Sequence, residues 1–208
     1  MSKGEKHAAE LIEKHVEPDM AARIWTPELA FKILALLWEE LPKKVPYFVI
    51  ACWLGLRPSE VGHTRWELFD WTRNYLHVDI KVGLKLHQER FVPLNPTARE
   101  MLEKWLKAQG LWAKAMRGEL TGRIGVKRDH EAISQLVRER GMITDWPPDV
   151  TRHSWISYMI AQGHSKHQIA EWAGNSESVI RERYRRPLMR EDGDAWFPGC
   201  RGEINGEE

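Results

Sequence analysis

The longest uncharged apolar run in the chain extends from Val45 to Leu56 and spans 12 residues. A helix that crosses a membrane needs about 20 apolar residues, so this run is too short to span one. We expect it to form a buried helix inside the core that a chain of 208 residues is long enough to build. The helix should end at Gly55, and Pro58 can occupy the first position of the next one.

A helix with one buried stripe is predicted before this run. Thr26 and Pro27 have the form of an N-cap followed by proline at the first helical position. The hydrophobic residues that follow recur every four positions, at Leu29, Ile33, Leu37 and Leu41. This spacing predicts about four helical turns with one face on the core.

The pattern between Trp66 and Leu94 is instead typical of strands. Apolar residues alternate with polar ones from Leu76 to Ile80, Gly83 offers a turn, and a second β-type run follows over residues 90–92. Residues 66–71 are a candidate third strand. These runs predict a small antiparallel sheet.

The rest of the chain is predicted to be helical. One helix should start at Asn95-Pro96 and another should cover residues 129–140. Three short helices should follow, over residues 153–162, 166–173 and 177–185. The expected fold class is therefore mainly α with a small antiparallel β-sheet (α+β).

Composition excludes several classes of protein. Hydrophobic residues make up 42% and charged residues 29%, which excludes a disordered or collagen-like chain. The two cysteines, Cys52 and Cys200, form no CxxC pair, so neither a disulfide framework nor a thiolate zinc site is expected. No leader-like pattern opens the chain, and we expect a cytoplasmic protein that is not bound to a membrane.

Charge is distributed unevenly along the chain. The net charge is +1, but residues 26–190 alone carry +7. Residues 1–25 are polar and weakly periodic, which predicts a linker or frayed helix, and residues 191–208 form an acidic tail. A basic body suits a polyanionic partner such as nucleic acid, although a merely solvated surface has the same composition.

Two segments in the first half carry side chains suited to phosphate chemistry. Arg57 lies at a predicted helix start, and Glu60, three residues later, can orient its guanidinium. Lys85 lies at the predicted hairpin tip, ahead of an Arg-x-Val-Pro-Leu run. Taken singly, these features are more typical of a structural ion pair and of a solubilising surface lysine.

Two further segments lie near the C-terminus. Arg152 follows Asp149 at a predicted helix N-terminus, where backbone amides and the helix dipole favour an anion. The segment Ala173-Gly174-Asn175-Ser176 comes next, and Tyr184 stands nine residues after Asn175. Taken alone, Tyr184 is more typical of the core-facing side of an amphipathic helix.

In order and spacing, the four segments together resemble the catalytic domain of the tyrosine recombinases, the phage integrase family. The family pattern has an arginine in Gly-Leu-Arg-x-Ser-Glu, a hairpin lysine, a His-x-x-Arg-His box, a Leu-Gly-His box and a nucleophilic tyrosine. Residues 54–61 match the first element, and Lys85 precedes Val92 by the family's seven residues. Residues 152–184 align without a gap, and the resemblance covers residues 26–190.

The resemblance implies a site-specific DNA recombinase that cuts and rejoins DNA through a 3′-phosphotyrosyl intermediate, without a metal or other cofactor. Tyr184 would be the nucleophile, while Arg57 and Arg152 would stabilise the charged transition state. Lys85 would protonate the leaving 5′-oxygen. Glu60 would support the site by orienting Arg57.

Two positions depart from the family pattern. Asn175 replaces a histidine or tryptophan, and it can still donate a hydrogen bond to a phosphate oxygen. Asp149 replaces a histidine, and it acts either as a base toward the tyrosine or in a structural role. The structural role, pairing with Arg152 or His153 or capping the helix, is favoured because a carboxyl pKa of about 4 matches a phenol pKa of about 10 poorly. The family residue at His153 supports the site.

The resemblance also implies double-stranded DNA as the partner, bound by a homotetramer during recombination, with a monomer in isolation. Trp196 and Phe197 in the tail are candidates for joining partner copies. The basic residues expected to contact DNA are Arg90, Arg117, Arg123, Lys127, Arg128, Arg181 and Arg183.

Two alternatives remain open from the sequence. A catalytically silent integrase-like DNA-binding protein is favoured by the changes at Asp149 and Asn175. A type IB topoisomerase-like enzyme would use the same chemistry without pairing two sites. His164 and His167 have no evident third ligand, so a metal site is not expected.

Overall fold

The computed structural model describes residues 24–79, 89–126, 128–184 and 188–200. The α-helices are α1 (Pro27–Glu40), α2 (Val45–Trp53), α3 (Pro58–Val61), α4 (Pro96–Ala108), α5 (Trp112–Met116), α6 (Arg128–Glu139), α7 (Val150–Ala161), α8 (Lys166–Ala173), α9 (Glu177–Arg183) and α10 (Arg190–Trp196). The strands are β1 (Phe69–Asp70), β2 (Tyr75–Val78) and β3 (Arg90–Pro93). The predicted fold class is confirmed. Within the described ranges, every helix is too short or too polar to span a membrane.

The first two helices form as their sequences predict. The Thr26 hydroxyl accepts a hydrogen bond from Leu29 N at 3.3 Å and so caps α1, whose Ile33 and Leu37 are fully buried. Every residue of α2 is buried, which suits a helix that is apolar on all sides. This helix lies at the centre of the core, with α1, α4 and α7 packed against it.

The three strands form one antiparallel sheet in the order β1-β2-β3. Only Phe69 and Asp70 of the predicted third strand join it, because residues 66–68 form a 3-10 helix instead. Leu76 of β2 pairs with Val92 of β3, and both are buried. The predicted strand residue Ile80 and turn residue Gly83 lie outside the described residues.

The later helices differ from prediction mainly at their ends. Helix α7 begins at Val150 rather than 153, so Arg152 lies in its first turn. Helix α9 ends at Arg183, which leaves Tyr184 as its C-cap. The short helix α5 was not predicted, because its five residues are too few to show a helical period.

Residues 191–200, the first half of the predicted acidic tail, belong to the fold. Helix α10 packs on α7, and Trp196 and Phe197 are buried at 0% and 1% exposure. Trp53 Nε1 donates to Trp196 O at 2.8 Å, and the Trp196 ring stacks on Tyr158 at 4.5 Å. The expectation that Trp196 and Phe197 join partner copies is therefore corrected: burial of both aromatic rings attaches this segment to the chain's own core.

Candidate active site

Arg57 is held by contacts to two separate parts of the chain. It is the N-cap of α3, with extended backbone, and Pro58 follows at the first helical position as predicted. Its guanidinium donates to Glu60 Oε1 at 3.3 Å, Gly174 O at 3.1 Å and Asn175 Oδ1 at 2.7 Å. The Gly-Leu-Arg segment and the Gly-Asn segment therefore meet at this one side chain.

Glu60 is buried between two arginines, with 2% of its surface exposed. Its Oε2 accepts hydrogen bonds from Arg57 N and from Arg90 Nη2, both at 2.9 Å. Burial by itself would raise the pKa of Glu60, but the charge and hydrogen bond of Arg90, with the bond from Arg57 N, hold that pKa below its ordinary value. Glu60 is thus a carboxylate that positions both guanidinium groups.

Arg90, which was expected to contact DNA, lies inside this cluster. Only 7% of its surface is exposed, because side chains alternate along β3 and Arg90 shares the buried face with Val92. Its burial suits a residue that fixes Glu60 rather than one on a DNA-contacting surface. The strand alternation is the sequence signal that would have indicated this.

Arg152 is the most deeply buried cation of the cluster that faces Tyr184. It is 3% exposed, and its guanidinium donates to Gly55 O at 2.7 Å and to Ala173 O. Burial, followed by the charge of Arg57, lowers the pKa of Arg152 to about 10, so the group stays charged at neutral pH. A guanidinium has five N–H donors, so these two bonds leave donors for an anion.

Three consecutive carbonyls at the C-terminal end of α8 each accept a hydrogen bond from a different arginine. The pairs are Trp172 with Arg90, Ala173 with Arg152, and Gly174 with Arg57. The end of a helix presents unpaired carbonyls and partial negative charge, which stabilises cations there. Gly174 is the C-cap with φ 62°, a left-handed conformation that suits glycine.

Asn175 lies directly after this helix end and is half-buried. Its Oδ1 accepts from Arg57 Nη2, so its amide is oriented by the arginine. Within the part of the chain that the structure describes, Asn175 Nδ2 has no hydrogen-bond acceptor. The amide can therefore donate to an anion held by Arg57, as the sequence predicts.

Tyr184 faces the arginines from the end of α9, with 9% of its surface exposed. Its hydroxyl oxygen lies 2.5 Å from His153 Nδ1, in hydrogen-bond contact. Burial raises the pKa of Tyr184 to about 12, although the charges of Arg152, Arg183 and Arg57 act in the opposite direction. At neutral pH the tyrosine is therefore a phenol.

Asp149 does not have the structural roles predicted for it. It is the N-cap residue of α7, but its carboxylate makes no capping bond, and among the described residues it forms no ion pair with Arg152 or His153. The reason is its left-handed backbone, φ 54°, whereas a capping side chain is directed to the helix amides from extended backbone. Its charge instead raises the pKa of Tyr184.

The other basic residues expected to contact DNA lie on the surface where they are described. Arg117 pairs with Glu119 at 2.8 Å, and Arg181 pairs with Glu177 at 2.6 Å. The exposed members of the predicted set are Arg117, Arg123, Arg128, Arg181 and Arg183. Lys127 and the predicted proton donor Lys85 lie outside the described residues.

The site therefore combines excess positive charge with the hydroxyl of a tyrosine. Among the described residues, Arg57, Arg90 and Arg152 outnumber Glu60, the carboxylate on which their charges act. A buried excess of positive charge is costly unless an anion binds, and bidentate guanidinium groups suit phosphate. With Tyr184 beside it, the arrangement fits transfer of a phosphoryl group to a tyrosine oxygen.

This fold and this cluster define a family, and the chain belongs to it. The sequence model of the phage integrase family matches residues 43–191, which confirms the resemblance carried by the motifs. The crystal structure of XerA recombinase has the same fold, with a TM-score of 0.56 over 81% of this chain and 60% of that chain at 14% identity.

Curated relatives named tyrosine recombinase XerC align with the same region. The protein from Xanthomonas axonopodis pv. citri (strain 306) is 28% identical over 62% of this chain and 42% of its own length. The protein from Xylella fastidiosa (strain M23) is 26% identical over 62% of this chain and 44% of its own length. The chain thus spans less than half the length of these relatives.

Proposed function

We propose that this chain is the catalytic domain of a site-specific DNA recombinase of the tyrosine type. The observation that carries the proposal is the positive excess of the half-buried Arg57 and the buried Arg152 beside the hydroxyl of Tyr184. A DNA phosphodiester is an anion that suits this positive excess, and the Tyr184 hydroxyl supplies a nucleophile for it. The family and its XerC relatives support the same activity.

In the proposed reaction, the Tyr184 oxygen attacks a phosphodiester and forms a 3′-phosphotyrosine while the 5′-oxygen leaves. The pentavalent transition state gains negative charge on its non-bridging oxygens, which Arg57 and Arg152 stabilise. Lys85 protonates the leaving oxygen. The phosphotyrosine conserves the bond energy, so attack by a 5′-hydroxyl reverses the step and rejoins the DNA without ATP.

The surrounding residues keep this geometry. Glu60 orients Arg57 and Arg90, while the Asn175 amide donates a further hydrogen bond to the phosphate. Asp149 repels the phosphate by about 3 kcal/mol if the charges lie 5 Å apart at an effective dielectric of 20. That repulsion is an unfavourable feature of the site.

DNA outside the site is proposed to be held by the exposed basic residues. Arg123, Arg128 and Arg183 are the best candidates, since Arg117 and Arg181 already pair with glutamates. Such contacts are to phosphates, so affinity should fall steeply with salt and select poorly among sequences. We further propose a monomer in isolation, a homotetramer on two DNA sites during recombination, and action on DNA in the bacterial cytoplasm.

Covalent trapping tests the proposal directly. The chain and its Tyr184→Phe variant are incubated with a library of nicked duplexes that lose a short product on cleavage, and SDS-resistant adducts are sequenced. The expected result is an adduct that requires Tyr184 and has a preferred DNA site. DNA binding without an adduct would instead identify a catalytically silent DNA-binding protein.

A plasmid assay distinguishes the proposed recombinase from the type IB topoisomerase-like enzyme. A recombinase acts at its preferred site and joins two DNA partners, whereas a type IB topoisomerase-like enzyme relaxes supercoiled plasmid without site preference. Relaxation at random positions would therefore replace the proposed function with the topoisomerase one.

A further inference from the structure

The contact between Tyr184 and His153 joins two elements that are far apart in sequence. His153 lies in the first turn of α7 and Tyr184 at the C-cap of α9, and the Oη to Nδ1 distance is 2.5 Å. The two ring centroids are 5.7 Å apart with an interplanar angle of 44°. This geometry suits a hydrogen bond between the hydroxyl and the imidazole nitrogen.

The proton in this hydrogen bond belongs to the tyrosine at neutral pH. Burial raises the pKa of Tyr184 to about 12, so the hydroxyl keeps its proton at neutral pH. The hydroxyl can therefore donate to Nδ1 of His153, and Nδ1 lies where it can take the phenol proton.

Asp149 is poorly suited to accept the proton of Tyr184. Among the described residues its carboxylate is in hydrogen-bond contact with no partner, and its charge disfavours ionisation of Tyr184. Among the described residues, the other charges that act on Tyr184 are the cations Arg152 on α7, Arg183 on α9 and Arg57 before α3, which favour its ionised form. None of these guanidinium groups can accept a proton, because each is already charged.

We infer that His153 is the catalytic base that removes the proton of Tyr184 during DNA cleavage, a role that rests on the proposed function. The Oη–H bond breaks and the proton moves to Nδ1 of His153. The freed electron pair of the oxygen forms the bond to phosphorus, and the bond from phosphorus to the 5′-oxygen breaks, with Lys85 supplying the proton to that oxygen. In rejoining, the imidazolium returns its proton to Tyr184.

A matched substitution separates this role from mere positioning. His153→Asn puts an amide oxygen close to the position of Nδ1, so it keeps an acceptor for the Tyr184 hydroxyl but cannot hold the proton. The rate of adduct formation is measured in single turnovers between pH 5.5 and 9, on a site found by trapping. We expect wild-type cleavage to rise with pH through the histidine pKa and then level off. The asparagine variant should cleave about 100-fold more slowly, without that bend.

Lowering the pKa of the nucleophile gives an independent readout. Tyr184 is replaced by a fluorinated tyrosine, whose phenol ionises at lower pH, in the wild type and in His153→Asn. A tyrosine that loses its proton readily needs the base less, so the fluorinated residue should restore the variant more than it accelerates the wild type. Wild-type rates and an unchanged pH bend in His153→Asn would overturn the inference.

A failure of the proposed function can be distinguished from a failure of the role inferred for His153. If the wild type forms no Tyr184 adduct, the proposed recombinase activity is wrong. The contact between His153 and Tyr184 is then tested by ¹⁵N NMR of the His153 imidazole in the free protein. We expect Nδ1 to carry no proton at pH 8, and its chemical shift to change in Tyr184→Phe. A protonated Nδ1, or a shift indifferent to Tyr184→Phe, would overturn the inference without DNA.

Discussion

The backbone of Gly55 lies against the indole ring of Trp155, so closely that a Cβ atom on Gly55 would lie 2.3 Å from Cε3 of that ring. Gly55 has φ +65°, a conformation that residues with a Cβ rarely adopt. Its carbonyl oxygen also accepts the hydrogen bond from Arg152 at 2.7 Å. Gly55 therefore packs on Trp155 and binds Arg152 through its carbonyl, and it lies two residues before Arg57, the second arginine proposed to bind phosphate.

Gly55→Ala should lower the free energy of unfolding by about 3 kcal/mol. About 1 kcal/mol comes from the left-handed backbone and the rest from overpacking against Trp155. Urea denaturation measures the loss, with Gly110→Ala as the control, because Gly110 has φ +69° and open space around its Cα. The control should lose only about 1 kcal/mol, and equal losses in the two variants would contradict the role of the ring.

Glu60→Gln should lower the free energy of unfolding by about 3 kcal/mol at pH 7, because it leaves the half-buried Arg57 and the buried Arg90 without their carboxylate. Glu177→Gln removes the exposed partner of Arg181 and should cost less than about 1 kcal/mol. Thermal and urea unfolding of both variants provide the comparison. Similar small losses would show that the arginine cluster does not need its carboxylate.

Acid should remove the difference in the free energy of unfolding between the wild type and Glu60→Gln. The folded-state pKa of Glu60 is lowered, so its carboxylate stabilises the fold above the unfolded-state pKa of about 4.3. That contribution is lost as the pH falls through the folded-state pKa. Unfolding curves recorded from pH 7 down to pH 3 should therefore converge for the wild type and Glu60→Gln. A gap that stays constant with pH would argue against an ionised Glu60.

Trp196→Ala should lower the free energy of unfolding by about 4 kcal/mol, because a fully buried indole stacked on Tyr158 is removed. Met189→Ala is the control from the same segment, since Met189 is 67% exposed and its truncation should change stability by less than about 0.5 kcal/mol. An unchanged stability in Trp196→Ala would mean that α10 contributes nothing to the core of its own chain.

Asp149→His should keep or raise the rate of DNA cleavage. The change removes a negative charge that repels the phosphate, and histidine tolerates the left-handed backbone of φ 54° better than most residues. Adduct formation on a trapped site is the measurement, with Asp145→His as a control for the loss of an exposed negative charge. A loss of more than about tenfold in Asp149→His alone would show that the carboxylate itself is needed.

Local patterns predicted the elements of this fold well. The cap at Thr26, the helix start at Asn95-Pro96 and the buried helix from Val45 were each confirmed, because capping and helical periodicity depend on residues within one or two turns. The order of the motifs predicted the family, which the match over residues 43–191 confirmed. The predictions missed α5 and made β1 too long, because both elements are too short to show a period.

Burial of charged and aromatic residues was harder to predict. A basic residue in a basic region was expected on the surface, yet the alternation of β3 turns Arg90 inward, where Glu60 and the α8 carbonyl of Trp172 stabilise it. The acidic composition after residue 190 predicted a tail, yet Trp196 and Phe197 in this segment belong to the core. Charge counts average over a segment, whereas burial is decided residue by residue.

The sequence by itself determined the fold class, the family and the identities of the residues proposed for catalysis. The tertiary structure alone decided how these residues are arranged: three arginines on consecutive carbonyls of α8, Asn175 beneath Arg57, and His153 against the hydroxyl of Tyr184. The reason is that a hydrogen bond such as that of Arg57 to Asn175 joins residues 118 positions apart. Local propensity cannot specify such a contact, because packing of the whole core must first bring the two segments together.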